Sequence, residues 1–174
     1  LSIDSQEVRA AAAQAPRVPR NVDDPAYMIY TSGTTGVPKA VVVSQHNLAS
    51  LVAMTNRHFD VTSQDRLLAL TAFHHDLSVF DIFAVLSAGA CLVIPNAVSY
   101  KDPSHWLDLM RQESVSLWNS VPALLEMLLD YMASNAQLVP ASLRQAWVGG
   151  DWVSTKLVEK ARRMAPQMLS LIHI

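Results

Sequence analysis

The sequence predicts an α/β fold in which strands and helices alternate around a mostly parallel sheet. Short apolar runs rich in β-branched residues alternate about five times with longer amphipathic stretches. Hydrophobic residues make up 51% of the chain and charged residues only 16%. That balance excludes a disordered chain and supplies enough apolar surface for one domain core in 174 residues. No repeat of fixed period and no low-complexity segment interrupts the alternation.

Taken in order, residues 1–24 read as a tail and linker. Gln6 to Ala15 is alanine-rich and suits a helix, and Pro16, Pro19 and Pro25 then break the pattern. Tyr27 to Thr31 is expected to be a short buried strand, and Ala40 to Val43 a second. Ser44 is placed to cap a helix running to about His58, with Leu48, Leu51, Val52 and Thr55 on one face. Leu67 to Thr71 is the next strand. Asp76 or Ser78 then caps a helix with Val79, Phe80, Ile82, Phe83 and Leu86 as its apolar face, ended by Gly89. Cys91 to Ile94 is a continuous apolar strand stopped by Pro95. Asp102-Pro103-Ser104 opens a helix with Trp106, Leu107, Leu109 and Met110 inside. Val115 to Asn119, a helix from Ala123 to Ala133, the strand Gln145 to Val148, a Gly149-Gly150 turn and an amphipathic helix from Ser154 to Met164 complete the series.

Several function classes drop out on composition. A formal net charge of −2 gives no basic field for nucleic acid. One cysteine, Cys91, builds no disulfide framework and points to a reducing, cytoplasmic compartment. Its apolar neighbours make it a core thiol. No apolar run reaches the ~18–20 residues of a membrane span. Leu1 to Arg20 has no continuous apolar core of the signal-peptide kind. Because the chain opens on Leu1 and not Met, it reads as a fragment. Lys156, Lys160, Arg162 and Arg163 read as a solvated helix face.

One loop stands out chemically. Thr31, Ser32, Gly33, Thr34, Thr35 and Gly36 crowd hydroxyls and glycines together, and Pro38-Lys39 closes the loop with a cation. Glycines let backbone N–H groups approach an anion, and hydroxyls add donors. The Gly-Lys-Ser/Thr step of the ordinary P-loop is missing, Pro38 removes an N–H, and a strand follows where that motif needs a helix. A phosphate loop of another kind and a bare hairpin turn both remain compatible with the residues. The adjacent His74 and His75 face opposite ways on an extended chain and have no partner at metal-ligand spacing, so no metal site is expected.

The run Tyr30 to Leu48, YTSGTTGVPKAVVVSQHNL, resembles the signature loop of the adenylate-forming (AMP-binding) enzymes, which include acyl-CoA synthetases and the adenylation domains of nonribosomal peptide synthetases. Ala40 departs from the glycine usual in the family. The run from His75 to Phe83, HDLSVFDIF, resembles the motif whose aspartate binds the substrate's α-ammonium in amino-acid-activating members. His75 stands where that family commonly has phenylalanine. On this resemblance residues 25–168 are part of the large N-terminal domain of an adenylation enzyme. Thr31, Ser32, Gly33, Thr34, Thr35, Gly36 and Lys39 would then bind the β- and γ-phosphates of ATP, and Asp76 would bind the ammonium. Without the resemblance, Asp76 reads as a helix cap.

The resemblance also implies a substrate pocket built from Asp76, Leu77, Phe80, Asn119, Trp147 and Gly149. Asp-Leu-Phe-Asn is similar to the opening of codes associated with cysteine and other small amino acids. Trp147 departs from the usual small aliphatic residue and narrows the pocket, or serves only as core. The implied reaction joins ATP and an amino acid as an aminoacyl-adenylate. The aminoacyl group then passes to a phosphopantetheine thiol on a peptidyl carrier domain, next to a condensation or cyclisation domain, with Mg²⁺ on the phosphates. The tyrosine-containing adenine segment, the ribose-binding aspartate and the late lysine of that family are not found in this sequence. No catalytic residue is therefore assigned, and the fragment alone is expected to be inactive. The alternatives are an acyl- or aryl-acid-CoA ligase relative and a non-catalytic nucleotide-binding module. Residues 169–174, LSLIHI, read as the translation of a transposon end used in sequencing libraries, with a native apolar strand as the other reading.

Overall fold

The computed structural model describes residue 10 and residues 18–31, 38–168 and 171–173. Strands β1 (Pro25–Thr31) and β2 (Lys39–Ser44) form an antiparallel hairpin. Pro25 is tolerated because it opens the strand, where no ladder donor is needed. Helix α1 (Gln45–His58) follows directly, and Ser44 Oγ accepts from Asn47 N at 3.3 Å. The linker completes that cap: Asp24 and Val22 carbonyls accept from Gln45 N (2.9 Å) and His46 N (2.8 Å). Four otherwise orphaned N–H groups are the standing problem of a helix start, and here three are met.

The strands β3 (Arg66–Ala69), β4 (Cys91–Val93), β5 (Leu117–Ser120), β6 (Gln145–Val148) and β7 (Leu171–His173) make a second sheet, parallel throughout, in the order β4-β3-β5-β6-β7. The predicted alternation thus yields four of the five parallel strands plus a separate hairpin; the fifth, β7, falls on residues read as an adapter translation. The helical segment α2 covers residues 77–87. It has an α-helical start Leu77–Val79, a π-helical middle Phe80–Ala84 and an α-helical end Val85–Ser87. Gly89, at φ +74°, stops it. Helices α3 (Pro103–Gln112), α4 (Pro122–Ser134) and α5 (Thr155–Met164) connect the later strands. Asp102 caps α3 by accepting from Ser104 N, and Ser154 caps α5 by accepting from Leu157 N.

Strand residues alternate between two cores, as the two-residue period of a strand requires. Leu68, Trp118, Ala146 and Val148 face α3, α4 and α5 and join Trp106, Met110, Leu125 and Leu157. Trp106 and Trp118 meet edge-on with centroids 6.0 Å apart, the geometry aromatic quadrupoles favour. Leu67, Ala69, Leu117 and Trp147 face the other way, with Val61 and Val85. The first core is the larger and closed. The second is smaller, and it holds the cavity described below.

Three expectations change. The hairpin strands are not buried: Met28, Tyr30, Val41 and Val42 are exposed. Apart from α1, little of the described chain rests on this two-stranded sheet. In α2 the buried positions are Ser78, Val79, Asp81, Ala84 and Val85, while Phe83 and Leu86 are exposed. The cause is the π-helical turn, which shifts the inward face by a residue relative to a regular 3.6-residue period. Lys160 is not free in solvent; its ammonium pairs with Asp130 and ties α5 to α4. The predicted helix between Gln6 and Ala15 falls largely outside the described residues.

Candidate functional site

The sheet order fixes where a site can form. From β3 the chain runs to β4 on one side, and from β5 it runs to β6 on the other. The connections therefore part at the carboxyl ends of β3 and β5, and a crevice opens between them. A cavity of about 200 Å³ lies against this crevice, lined by Tyr27, Leu51, Thr55, Phe59, Asp76, Leu77, Phe80, Asn119 and Trp147. Five of the six residues predicted as a substrate pocket line it: Asp76, Leu77, Phe80, Asn119 and Trp147. Gly149 does not. It stands just past β6, where its N–H donates to Ser120 O at 3.2 Å.

Each wall follows from local structure. Asn119 and Trp147 lie on the cavity side of neighbouring strands and are paired in the β5–β6 register. Trp147 is 2% exposed and meets Phe80 edge-on (centroids 4.6 Å, 80°) and Phe59 at a tilt (5.1 Å, 50°). The indole is therefore both core and cavity wall, and its Nε1 has no partner among the described residues. Thr55 donates its hydroxyl to Leu51 O at 2.6 Å, which spends that proton within α1.

Asp76 occupies the first turn of α2 but makes no capping bond, and its backbone is already helical. The cap expectation therefore fails, because a cap needs an extended backbone to aim its oxygen at the N–H groups ahead. The carboxylate is 73% exposed at the cavity mouth, with Oδ1 2.8 Å from His75 Nδ1. The same imidazole nitrogen is 3.3 Å from Leu77 N. It cannot accept from Leu77 and donate to Asp76 at once, so His75 chooses between them with its proton. Tyr27 shares the mouth: burial, and then the Asp76 charge, push its phenol above the ordinary value.

Sequence reasoning missed Tyr27, Leu51, Thr55 and Phe59, which come from β1, α1 and the turn after it. It also missed Asp81, which lies behind the wall and not in it. Asp81 is 2% exposed and accepts from Asn119 Nδ2 at 2.7 Å, while its Oδ2 has no partner among the described residues. Burial pushes its carboxyl up to about 7, against the pull of the Asn119 hydrogen bond and the nearby Thr71 hydroxyl. An acid amid Val79, Phe80, Ile82 and Phe83 was the visible signal.

On the loop side, Thr31 and Lys39 are paired at the open end of the hairpin, and Thr31 Oγ1 donates to Lys39 O at 3.4 Å. Ala40 pairs with Tyr30 inside the ladder, an extended position where glycine is not required. Ser32, Gly33, Thr34, Thr35 and Gly36 lie outside the described residues. Among the described residues, no three His, Cys, Asp or Glu side chains gather to hold a metal ion. No described helix is long and apolar enough to cross a membrane.

A hairpin beside a parallel sheet, with a cavity at the sheet's crevice, is a ligand-binding layout. The model of the AMP-binding enzyme family matches residues 2–173, and the chain belongs to that family. Within the family the segment resembles the adenylation segments of nonribosomal peptide synthetases. It is 41% identical over 161 residues to the anguibactin system regulator of Vibrio anguillarum, covering 92% of this chain and 15% of that protein. Pyochelin synthetase PchE of Pseudomonas aeruginosa is 43% identical over 160 residues, 92% of this chain and 11% of the relative. The chain thus spans a small part of the curated relatives it matches. Among solved structures it resembles the nonribosomal peptide synthetase FmoA3 in its AMPPNP-bound form, at 44% identity and a TM-score of 0.81, over 91% of this chain and 17% of that one. It also resembles the Vibrio cholerae adenylation domain AlmE bound to glycyl-adenosine-5'-phosphate, at 29% identity and a TM-score of 0.72, over 84% of this chain and 27% of that one.

Proposed function

We propose that this chain supplies the substrate pocket and the phosphate loop of an amino-acid adenylation domain. The observation that carries the reading is the polarity of the cavity. A carboxylate, Asp76, stands at its mouth, and Leu77, Phe80, Asn119 and Trp147 close its interior. An α-amino acid has the matching layout, with an ammonium at one end and a side chain at the other. Asp76 would hold the ammonium, and the walls would sort side chains. A cavity of about 200 Å³ suits a small side chain, and the Asp-Leu-Phe-Asn set favours cysteine within that class.

The hairpin end supplies the second half. Thr31, Ser32, Gly33, Thr34, Thr35, Gly36 and Lys39 would bind the β- and γ-phosphates, lowering repulsion as the amino-acid carboxylate attacks the α-phosphorus. Catalysis of this kind rests on positioning and charge neutralisation. Mg²⁺ would accompany ATP as its counter-ion, and no step is routed through it. The product would pass to a phosphopantetheine thiol on a carrier domain, with a condensation or cyclisation domain as neighbour. A cytoplasmic setting, where ATP is plentiful and Cys91 stays reduced, accords with this reading. Residues 169–174 remain proposed as an adapter translation, although Leu171–His173 pair with β6 as a native strand would; the nucleotide sequence of the gene decides, since different codons there exclude the adapter.

The test is amino-acid-dependent exchange of pyrophosphate into ATP by the intact protein that carries this chain. Cysteine and other small amino acids should support exchange, and Asp76→Ala should lower it at least about tenfold, the scale of one hydrogen bond to a charged group. Exchange with aryl or fatty acids and not with amino acids would overturn the proposal.

A further inference from the structure

Behind the cavity lies a polar arrangement that the ammonium and phosphate contacts do not use. Asn119 lines the cavity from β5, and both hydrogens of its carboxamide are engaged within the protein. One goes to Asp81 Oδ1 at 2.7 Å, the other to Leu77 O at 3.3 Å. The orientation of an amide is fixed by its neighbours. A backbone carbonyl can only accept, so the Leu77 contact requires the nitrogen on that side whatever the protonation of Asp81. The carboxamide oxygen is then the one polar atom of Asn119 free to meet a bound molecule.

We propose that Asp81 is a positioning residue for substrate selection: with Leu77 O it clamps Asn119 so that the carboxamide offers an acceptor, and not a donor, to the substrate side chain. The substrate class that follows is a small amino acid whose side chain ends in a hydrogen-bond donor, a thiol or hydroxyl. This rests on the reading of the cavity as an amino-acid pocket. The clamp sits on the π-helical turn Phe80–Ala84, where two consecutive residues turn inward, Phe80 against Trp147 and Asp81 against Asn119. Of the other polar groups of the cavity, Trp147 Nε1 can only donate, Asp76 and Tyr27 lie at the mouth, and Thr55, its proton given to Leu51 O, adds an acceptor of the same kind from α1.

The test compares cysteine with 2-aminobutyrate, which replaces the thiol by a methyl group of similar size, in pyrophosphate exchange by the intact protein. Serine with alanine is the second pair. The unmodified protein should favour the donor-bearing member of each pair. Asp81→Leu removes the acceptor, frees Asn119 to turn, and should cut the donor preference about tenfold while both substrates remain accepted, the scale set by one unpaired polar contact. Asp81→Asn keeps an acceptor oxygen and should restore the preference, which a merely space-filling role would not require. Asn119→Ala removes the acceptor itself and should cut the preference at least as far as Asp81→Leu does. If Asp81→Leu does not fold, the Asp81→Asn and Asn119→Ala pair still decides. An unchanged preference in folded Asp81→Leu, or its loss in Asp81→Asn, overturns the proposal. No exchange with any amino acid by the unmodified protein would instead overturn the reading of the cavity.

Discussion

Arg144 grips Asp65 with two parallel hydrogen bonds, Nε to Oδ1 at 2.8 Å and Nη2 to Oδ2 at 2.7 Å. Arg144 also donates to Phe59 O and Asp60 O, and Ser116 Oγ donates to Asp65 Oδ1 at 2.7 Å. The cluster joins the α1–β3 turn to the starts of β5 and β6, and so sets the height of Phe59 in the cavity wall. Burial alone would raise the Asp65 carboxyl, but bonds from Arg144, Thr62 and Ser116 outweigh it and hold the group below its ordinary value. Such an acid stabilises the fold at neutral pH and loses that contribution as pH falls through its folded-state value. Arg144→Met should cost about 2–3 kcal/mol at pH 7, because the Asp65 charge is left nearly buried. Urea unfolding followed by tryptophan fluorescence should show the deficit shrinking towards pH 3.

Asp81 has the opposite sign. Its carboxyl is pushed from 3.8 to about 7 chiefly by burial, so the folded state prefers the neutral acid. Below the ordinary value both states are protonated and nothing is lost. As pH rises from about 4 towards 7, folding is penalised by proton retention, and the penalty levels off above the folded-state value. Asp81→Asn removes the ionisation and should stabilise the protein at pH 8 by up to about 4 kcal/mol relative to its effect at pH 4. Paired melting curves at the two pH values measure this. Equal effects at both would mean that Asp81 is ionised in the folded protein at low cost.

Long apolar runs made the parallel strands legible, since a buried strand and its connecting helix carry different periods in plain sight. Helix starts were legible too: Ser44 as a cap, Asp102 and Ser154 as the points where their helices open, and Gly89 as a stop. The hairpin's exposure was not legible. Val41 and Val42 read as core because β-branched residues look alike whether a sheet face is covered or open. Nor was the π-helical turn in α2, which no single residue marks, and which moved the buried face from Phe83 and Leu86 to Asp81 and Ala84. For the cavity, family-motif residues were recoverable, but Tyr27 and Phe59 arrive from β1 and the α1 turn through tertiary packing alone.

Gly150 carries a prediction about the mouth. Its φ of +78° is one that L side chains rarely adopt, and an added Cβ would lie 3.4 Å from His75 Cε1 and 3.6 Å from Val121 Cγ1. Gly150→Ala should destabilise by about 1–2 kcal/mol from backbone strain. Relief of the strain would press on His75, whose Nδ1 contacts Asp76. The Michaelis constant for the amino acid should therefore rise several-fold while that for ATP holds. Exchange kinetics with each substrate varied in turn separates the two, and an equal rise in both would place the damage elsewhere.

Trp147 gives the sharpest test of what bounds the cavity. Its indole is buried between Phe59 and Phe80 and fills the floor beside Asn119. Trp147→Leu leaves an apolar side chain in the β6 register but removes one ring of the wall. The stability cost should be about 2–4 kcal/mol, the range for shortening a core aromatic. The released space lies where the substrate side chain would end, so longer apolar amino acids such as leucine or methionine should gain roughly tenfold in kcat/KM relative to cysteine, the worth of one or two accommodated methylenes. Competitive pyrophosphate exchange with mixed amino acids reads this ratio directly. A variant that loses stability but keeps the original order of substrates would show that Trp147 serves the core and not the pocket.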